Sequence, residues 1–410
     1  MRSSDFSLDL YITANSPGEI SGWVAPLVRE IRSRLWNCRI SVVILPCQYA
    51  SGEEMALCAE TGADRCFRIG EMSSVETSGG KKLVLRLGGD LFFAIYFAKR
   101  IGAPVWAYCG RPRWGRFVER FFVPDGDAAL HFARAGLPRG KYETIGHLAL
   151  DSVAVNESEE ETREILGLSP DEPVISCLTG SRPVEYCNAA PFLARVASLV
   201  TQELPDHKVL FPLAPTVRDD LLEQALDDAG IERIGTSRVH SIGLGGGRWG
   251  TVVRGRSLES LVCSKLAIAV PGTNNLQAAA LYVPFIMILP LDKADTFPLD
   301  GLPGLLPLWV PGIRKLKREY VVRLNERTDF VSLPNKMAKK MIAPEIRGFF
   351  KASDVAAKAV SLLNDEGELK RIQRAFWELT HERGASSALA SRIAEWAIGT
   401  HRRPGQTNTG

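Results

Sequence analysis

The chain has 410 residues, 45% hydrophobic and 24% charged, with 50 Lys and Arg against 47 Asp and Glu for a formal net charge of +3. That length exceeds what one hydrophobic core usually supports and predicts two domains, while the composition excludes extended disorder, collagen-like repeats and a polytopic membrane protein. So small a net charge does not point to nucleic acid, and any basic surface that seeks a partner must be local.

Met1–Ser16 lacks the basic and apolar regions of a secretory signal, so no export is expected. Leu8–Thr13 reads as a strand, Asn15-Ser16-Pro17-Gly18 as a turn, and Val24, Leu27, Val28, Ile31 and Leu35 as the apolar face of a helix with Ser21 as N-cap. Ile40–Leu45 and Lys82–Leu87 supply two more strands, the latter ending at Gly88-Gly89-Asp90 before the apolar Leu91–Ala98. Strands alternating with helices predict a parallel, doubly wound sheet.

The acidic run Asn156–Glu164 places a domain boundary near residues 152–172, after which the rhythm restarts. Val174–Leu178 is a strand, Thr179-Gly180-Ser181-Arg182 a turn, and Leu193, Val196, Ala197, Val200 and Leu204 form the stripe of the next helix. Val209–Leu213, Leu266–Val270 and Phe285–Leu289 are further strands. The charge-free stretch Leu266–Leu291 could span a bilayer by length, but Pro271, Gly272, Pro284 and Pro290 break it into strand, turn, helix and strand. Leu369, Ile372, Phe376 and Leu379, then Leu389, Ile393 and Trp396, mark two amphipathic C-terminal helices. The eight cysteines (38, 47, 58, 66, 109, 177, 187, 263) form no C-x-x-C pair and read as reduced cytosolic thiols.

Three loops at strand ends carry candidate chemistry. Gly18-Glu19-Ile20-Ser21-Gly22 combines glycines that admit a ligand to the backbone, a helix N-terminus and a carboxylate; an ordinary capped helix with an exposed glutamate is the plain alternative. Gly180-Ser181-Arg182 offers amides, a hydroxyl and a guanidinium, donors suited to a leaving diphosphate. Glu185, one turn on, orients Arg182 or is simply a first-turn acid. In Pro271-Gly272-Thr273-Asn274-Asn275-Leu276-Gln277 the side chains of Thr273 and Asn274 can cap a helix or bind phosphate or ribose.

Together these residues resemble the lipid-A-disaccharide synthase family. Gly18–Gly22 is similar to its G-E-x-S-G-D loop, Gly180-Ser181-Arg182-Pro183-Val184-Glu185 to its P-G-S-R-x-x-E segment, and Pro271-Gly272-Thr273 to its S-G-T turn. Ile145-Gly146-His147 with Asp151, and above all Phe330-Val331-Ser332-Leu333-Pro334-Asn335 beside a Y-V-S-L-P-N block, extend the match from about residue 8 to residue 398. The resemblance implies a GT-B fold, two Rossmann-like doubly wound α/β domains facing a cleft. Residues 1–155 would bind acceptor and 156–345 nucleotide sugar; helices over 346–400 would pack back or swap between subunits, with a disordered tail at 401–410. It also implies an inverting transfer of 2,3-diacylglucosamine from its UDP derivative to a glucosamine 1-phosphate lipid, on the cytoplasmic face of a membrane. The partners would be a nucleotide-sugar donor, a lipid acceptor, a membrane surface and a second copy of the chain, with no nucleic acid.

Carried onto this sequence, the base is Asp90 or, second, Glu19. The donor is held by Gly180, Ser181, Arg182, Gly272, Thr273, Asn274, Gln277 and Asn335, and the acceptor by Gly18, Ser21, Gly22, Arg113 and His147. Trp23 stands where the family has an aspartate, Gln277 where it has a ribose-binding glutamate, and Gly88-Gly89-Asp90 where it has D-A-P-D. The segment Asp295–Arg327 is longer than the family's, so the acceptor or acyl pattern can differ. No cofactor is expected, and six histidines without zinc-ligand spacing predict no metal.

Other classes remain in view: a sugar-nucleotide epimerase or hydrolase on the same fold, or a non-catalytic nucleotide-sugar binder. Apolar Leu302–Ile313 followed by basic Arg314–Arg318 suits docking to lipid, and the cluster Arg111-Pro112-Arg113-Trp114-Gly115-Arg116 with Phe117, Arg120 and Phe121, which has the look of a nucleic-acid patch, better suits a phosphate-bearing lipid acceptor in a chain so nearly balanced in charge. Either can equally be ordinary core and solvated surface. Gly245-Gly246-Gly247-Arg248-Trp249-Gly250 fits G-x-G-x-x-G but precedes a strand, so it reads as a flexible loop over the cleft rather than a dinucleotide fingerprint.

Overall fold

The computed structural model describes residues 7–46, 54–77, 79–153, 155, 157–215, 217–292 and 313–399. Cys47, residues 302–312 of the apolar segment and the tail 401–410 lie outside the described residues. The chain forms two compact units, Met1–Ser152 with Glu382–Gly410, and Val153–His381.

In the first unit β1 (Leu8–Ala14), β2 (Cys38–Ile44), β3 (Arg65–Arg68), β4 (Lys81–Arg86), β5 (Val105–Tyr108), β6 (Arg120–Val123) and β7 (Tyr142–Thr144) make one parallel sheet in the order β3-β2-β1-β4-β5-β6-β7. Every residue of β1 and β2 is buried, as expected for parallel strands covered on both faces. The one carboxylate in β1, Asp9, lies in register with Arg39 of β2 and meets its Nε at 2.6 Å, so the buried charge is paired. Phe121, expected in an exposed basic cluster, sits on β6 and is fully buried, while Arg111, Arg113, Trp114 and Arg116 are exposed.

The first helix starts earlier than the apolar spacing suggests. Pro17, with φ preset for a helix start, takes a first-turn position, and Ser16 caps it by accepting from Glu19 N at 3.4 Å. Ser21 is therefore not the cap; its Oγ donates to Pro17 O at 2.9 Å inside a π-type turn that continues into Ala25–Arg32. At the other end of the chain, helix Ala385–Ile398 buries Ala385, Leu389, Ala390 and Ile393 in this same core. Asp151 fixes its start by accepting from Gly384 N at 2.7 Å and Ser386 N at 2.5 Å. The C-terminal helices expected as one segment are thus divided, since Ala352–Leu363 and Glu366–Thr380 belong to the second unit.

The second unit has β8 (Val174–Leu178), β9 (Lys208–Leu213), β10 (Arg233–Ile234), β11 (Ser241–Gly245), β12 (Arg248–Arg254), β13 (Ser264–Ala269), β14 (Phe285–Pro290) and β15 (Glu345–Gly348), ordered β10-β11-β12-β9-β8-β13-β14-β15. The six strands from β12 to β15 are parallel, and β10-β11-β12 are antiparallel. Gly245, Gly246 and Gly247 all have positive φ and turn the β11–β12 hairpin, which corrects the expected free loop.

Both sheets reverse their strand order at the first strand of the unit. β1 lies between β2 and β4, and β8 between β9 and β13. Ligands of open α/β sheets bind beyond the carboxyl ends of strands at such a switch point. Thr13 pairs with Arg86, and Leu178 with Ala269, so the loops leaving each central pair start side by side. These are the loops singled out in the sequence.

Candidate functional site

In the first unit the structure brings Glu19 together with the loop that follows β4. Glu19 Oε2 accepts from Asn15 N at 2.9 Å, and a Cβ on Gly88 would fall 1.8 Å from that oxygen, so a side chain there would have to displace the carboxylate. Gly88 is tied to β1 by its N–H to Thr13 O at 2.9 Å and by Thr13 Oγ1 donating to its carbonyl at 3.1 Å. Arg86 clamps the same loop, with Nε and Nη2 donating to Gly89 O at 3.0 and 2.6 Å and Nη1 to Tyr108 O at 2.8 Å. Asp90 follows, exposed at the start of helix Leu91–Ile101, where its Oδ1 accepts from Phe92 N at 2.8 Å. It is an N-cap, and its second oxygen has no hydrogen-bond partner among the described residues. Gly18 is half-buried beside Glu19, and Gly22 is buried with its Cα facing Ser152 Oγ.

His147 follows β7 with Nε2 3.3 Å from Asp125 Oδ2, and burial pulls its pKa below the usual histidine value while Asp125 opposes that shift. Tyr108, which the sequence reading passed over, donates its hydroxyl to Gly146 O at 3.2 Å and accepts from Leu148 N at 3.4 Å. Its ring meets Trp23 edge-on at 5.9 Å, and Trp23 Nε1 is a buried donor without a hydrogen-bond partner among the described residues. Trp23 therefore packs toward the Gly146–Leu148 segment through Tyr108. Arg113 is exposed, and among the described residues no hydrogen bond or ion pair connects it to the strand-end loops.

In the second unit Gly180 has φ +86°, and a Cβ there would meet Glu185 Oε2 at 2.5 Å. Glu185 Oε2 accepts from Ser181 N at 3.1 Å and Arg182 N at 3.2 Å, and its Oε1 lies 3.3 Å from Arg182 Nη1. The acid thus closes the loop and orients Arg182, and two amides expected to face a diphosphate are held by Glu185. The guanidinium, 29% exposed, keeps N–H groups for a ligand. The neighbouring loop is open. Gly272 stands at the N-cap of helix Thr273–Ala280 with no side-chain cap, so Thr273 and Asn274 do not cap it. Their side chains and that of Gln277 are half-buried and make no hydrogen bond among the described residues. Asn275 is buried and donates to Val270 O at 3.3 Å.

Asn335 requires a correction. It is fully buried, its Nδ2 donates to Ala343 O at 2.8 Å and Glu345 Oε1 at 2.9 Å, and its Oδ1 accepts from Ile342 N and Ala343 N. No group remains for a donor sugar. Val331 N, Ser332 N and Ser332 Oγ also converge on the buried Glu345 carboxylate, so the V-S-L-P-N block is an anchor around one acid. Only a single glutamate between Ile342 and Ile346 in the sequence marked that acid, and Arg86 before Gly-Gly-Asp was a similar unread signal.

Two Rossmann-like α/β units with ligand-type loops at both switch points define a GT-B-like class of fold. Solved structures agree: S. aureus MnaA in a co-structure with UDP (TM-score 0.58, 11% identity, 98% of this chain and 100% of that one), and UDP-GlcNAc 2-epimerase from Neisseria meningitidis bound to UDP-GlcNAc (TM-score 0.58, 11% identity, 95% and 100%). At such identity the likeness is one of fold. A family model described as lipid-A-disaccharide synthetase matches residues 139–297. The lipid-A-disaccharide synthase of Gloeothece citriformis is 30% identical over 162 residues, 40% of this chain and 37% of that protein. That of Syntrophus aciditrophicus is 25% identical over 315 residues, 73% of this chain and 70% of that protein. The chain is therefore similar to lipid-A-disaccharide synthases, with the family model matching less than half of its length.

Proposed function

We propose that the protein is an inverting glycosyltransferase that moves 2,3-diacylglucosamine from its UDP derivative to a glucosamine 1-phosphate lipid, releasing UDP. The observation that carries this is Arg182, oriented by Glu185 at the switch point of the unit that most of the family match spans. Arg182 and the uncapped start of helix Thr273–Ala280 would hold the departing diphosphate, whose charge grows as the glycosidic bond breaks. Gln277 would hydrogen-bond the ribose. Asp90, or Glu19 behind it, would take the proton of the acceptor hydroxyl. The scheme uses no metal or cofactor.

A membrane surface would supply both lipids. Supporting this, Phe92, Tyr96 and Trp114 are exposed on the first unit, and Lys99 and Arg116 lie over the Phe117 ring at 4.5 and 4.6 Å. Aromatic rings beside basic groups suit an anionic interface, at about 1 kcal/mol per basic residue. Among the described residues no helix is long and apolar enough to cross a membrane. The epimerases that share the fold support a second reading, an epimerase or hydrolase acting on a UDP-sugar.

Incubation with UDP-2,3-diacylglucosamine and the glucosamine 1-phosphate lipid, followed by mass spectrometry, tests the scheme. A disaccharide with matching UDP is expected. An epimerised donor or a free sugar would replace transfer by the second reading, and an unconsumed donor would leave a non-catalytic binder.

A further inference from the structure

A cavity of about 450 Å³, a size ordinary for small-ligand sites, opens in the first unit between the last turns of helix Leu91–Ile101 and the amino ends of β5, β6 and β7. The Glu19 and Gly88 loops leave the carboxyl ends of β1 and β4, so the cavity lies at the opposite end of the same parallel sheet. Three cations reach it from separate segments: Lys99 from the helix, Arg116 from the turn Gly115–Phe117, and Lys141 from the residue before β7. None of the three has a carboxylate partner among the described residues, whereas Arg120, just beyond the lining, pairs with Glu143 at 2.6 Å. The one acid in the lining, Glu119, accepts from Trp106 Nε1 at 3.3 Å. Lys99 Nζ and the Arg116 guanidinium lie 4.5 and 4.6 Å from the centre of the same Phe117 ring, and Lys141 is half-buried. Gathering like charges and half-burying one of them is unfavourable, and an anion in the cavity would offset that cost. Ile95 and Val105, both buried, and Phe117 give the cavity an apolar wall beside the cations.

We infer that this cavity is an anion site apart from the strand-end loops, taking a phosphate monoester with its phosphate among Lys99, Arg116 and Lys141 and its organic part against Ile95, Val105 and Phe117. A phosphate monoester carries close to two charges near neutral pH and several acceptor oxygens, which three cationic donors can meet together. Soluble organic phosphates and the headgroup of phosphatidic acid share that chemistry. The site uses neither Arg182 nor Asp90 and is independent of the glycosyltransferase reading.

Calorimetry of the full chain with inorganic phosphate and phenyl phosphate, and flotation with phosphatidylcholine vesicles with and without phosphatidic acid, test this. Phenyl phosphate should bind more tightly than inorganic phosphate, by about threefold or more, because the apolar wall covers its ring. Lys141→Gln should weaken phosphate binding about tenfold and leave melting temperature and UDP affinity unchanged. Lys99→Gln should weaken phosphate binding likewise, and Arg139→Gln, which removes an exposed charge outside the lining, should not. Binding of the soluble phosphates that depends on Lys141 supports a site for a free organic phosphate. Binding that depends on Lys141 but occurs only on vesicles with phosphatidic acid supports a site for a lipid headgroup. Absence of binding to every probe, binding that Lys141→Gln leaves unchanged, or an equal loss in Arg139→Gln would overturn the site.

Discussion

Glu19 and Glu185 hold matching places in the two units. Each is the third residue of a helix opened by a proline, Pro17 or Pro183, directly after the first strand of its unit. Each folds its carboxylate back onto a loop amide and against a glycine where a side chain would displace it. They differ in what the glycine belongs to. Gly180 lies in the same loop as Arg182, so Glu185 organises a cation. Gly88 comes from another strand end, so Glu19 is joined to a loop that ends in a second carboxylate, Asp90, while Arg86 is spent on the Gly89 and Tyr108 carbonyls. One local device thus sets a cation beside the loop of the second unit and leads to a second carboxylate in the first.

Substitutions can break or sharpen that contrast. The largest effect is expected from Asp90→Asn. Asparagine caps a helix as well as aspartate, so melting temperature and UDP affinity should hold while turnover falls roughly 10²–10⁴-fold. Full activity would remove Asp90 from the chemistry and leave Glu19. Gly88→Ala must push Glu19 aside and should lower turnover about a hundredfold with UDP affinity intact; a parallel loss of UDP affinity would blur the division between units. Asn335→Ala strands the Ile342 and Ala343 amides beside Glu345 and should cost about 2–3 kcal/mol of stability by chemical denaturation, without changing UDP affinity of the folded protein. A specific loss of UDP affinity would return Asn335 to the donor site. Smallest, Glu185→Ala releases Arg182 and should weaken UDP binding about tenfold by calorimetry. No change would make Glu185 only a first-turn acid.

The long strands were legible because buried parallel strands read as continuous apolar runs, as Val174–Leu178 and Phe285–Pro290 show. Val105–Tyr108, Arg120–Val123 and Tyr142–Thr144 were missed, being three or four residues long and in two cases opening on a polar or charged residue. The candidate loops were legible from their glycines and polar residues, but not what each glycine accommodates. Gly88 packs against a glutamate 69 positions earlier, and Asn335 against Glu345, ten positions later. Such pairings arise only in the tertiary fold. The cap at Ser16 was displaced to Ser21 because the apolar stripe, from Val24, begins about two turns after the helix start at Pro17.

Hydrogen exchange with and without UDP tests the division of labour most directly. Protection should appear at 180–186 and 272–277 and stay absent at 15–22 and 87–92. Protection of the Glu19 and Gly88 loops by UDP, or none in the second unit, would contradict the assignment of donor and base to separate sites.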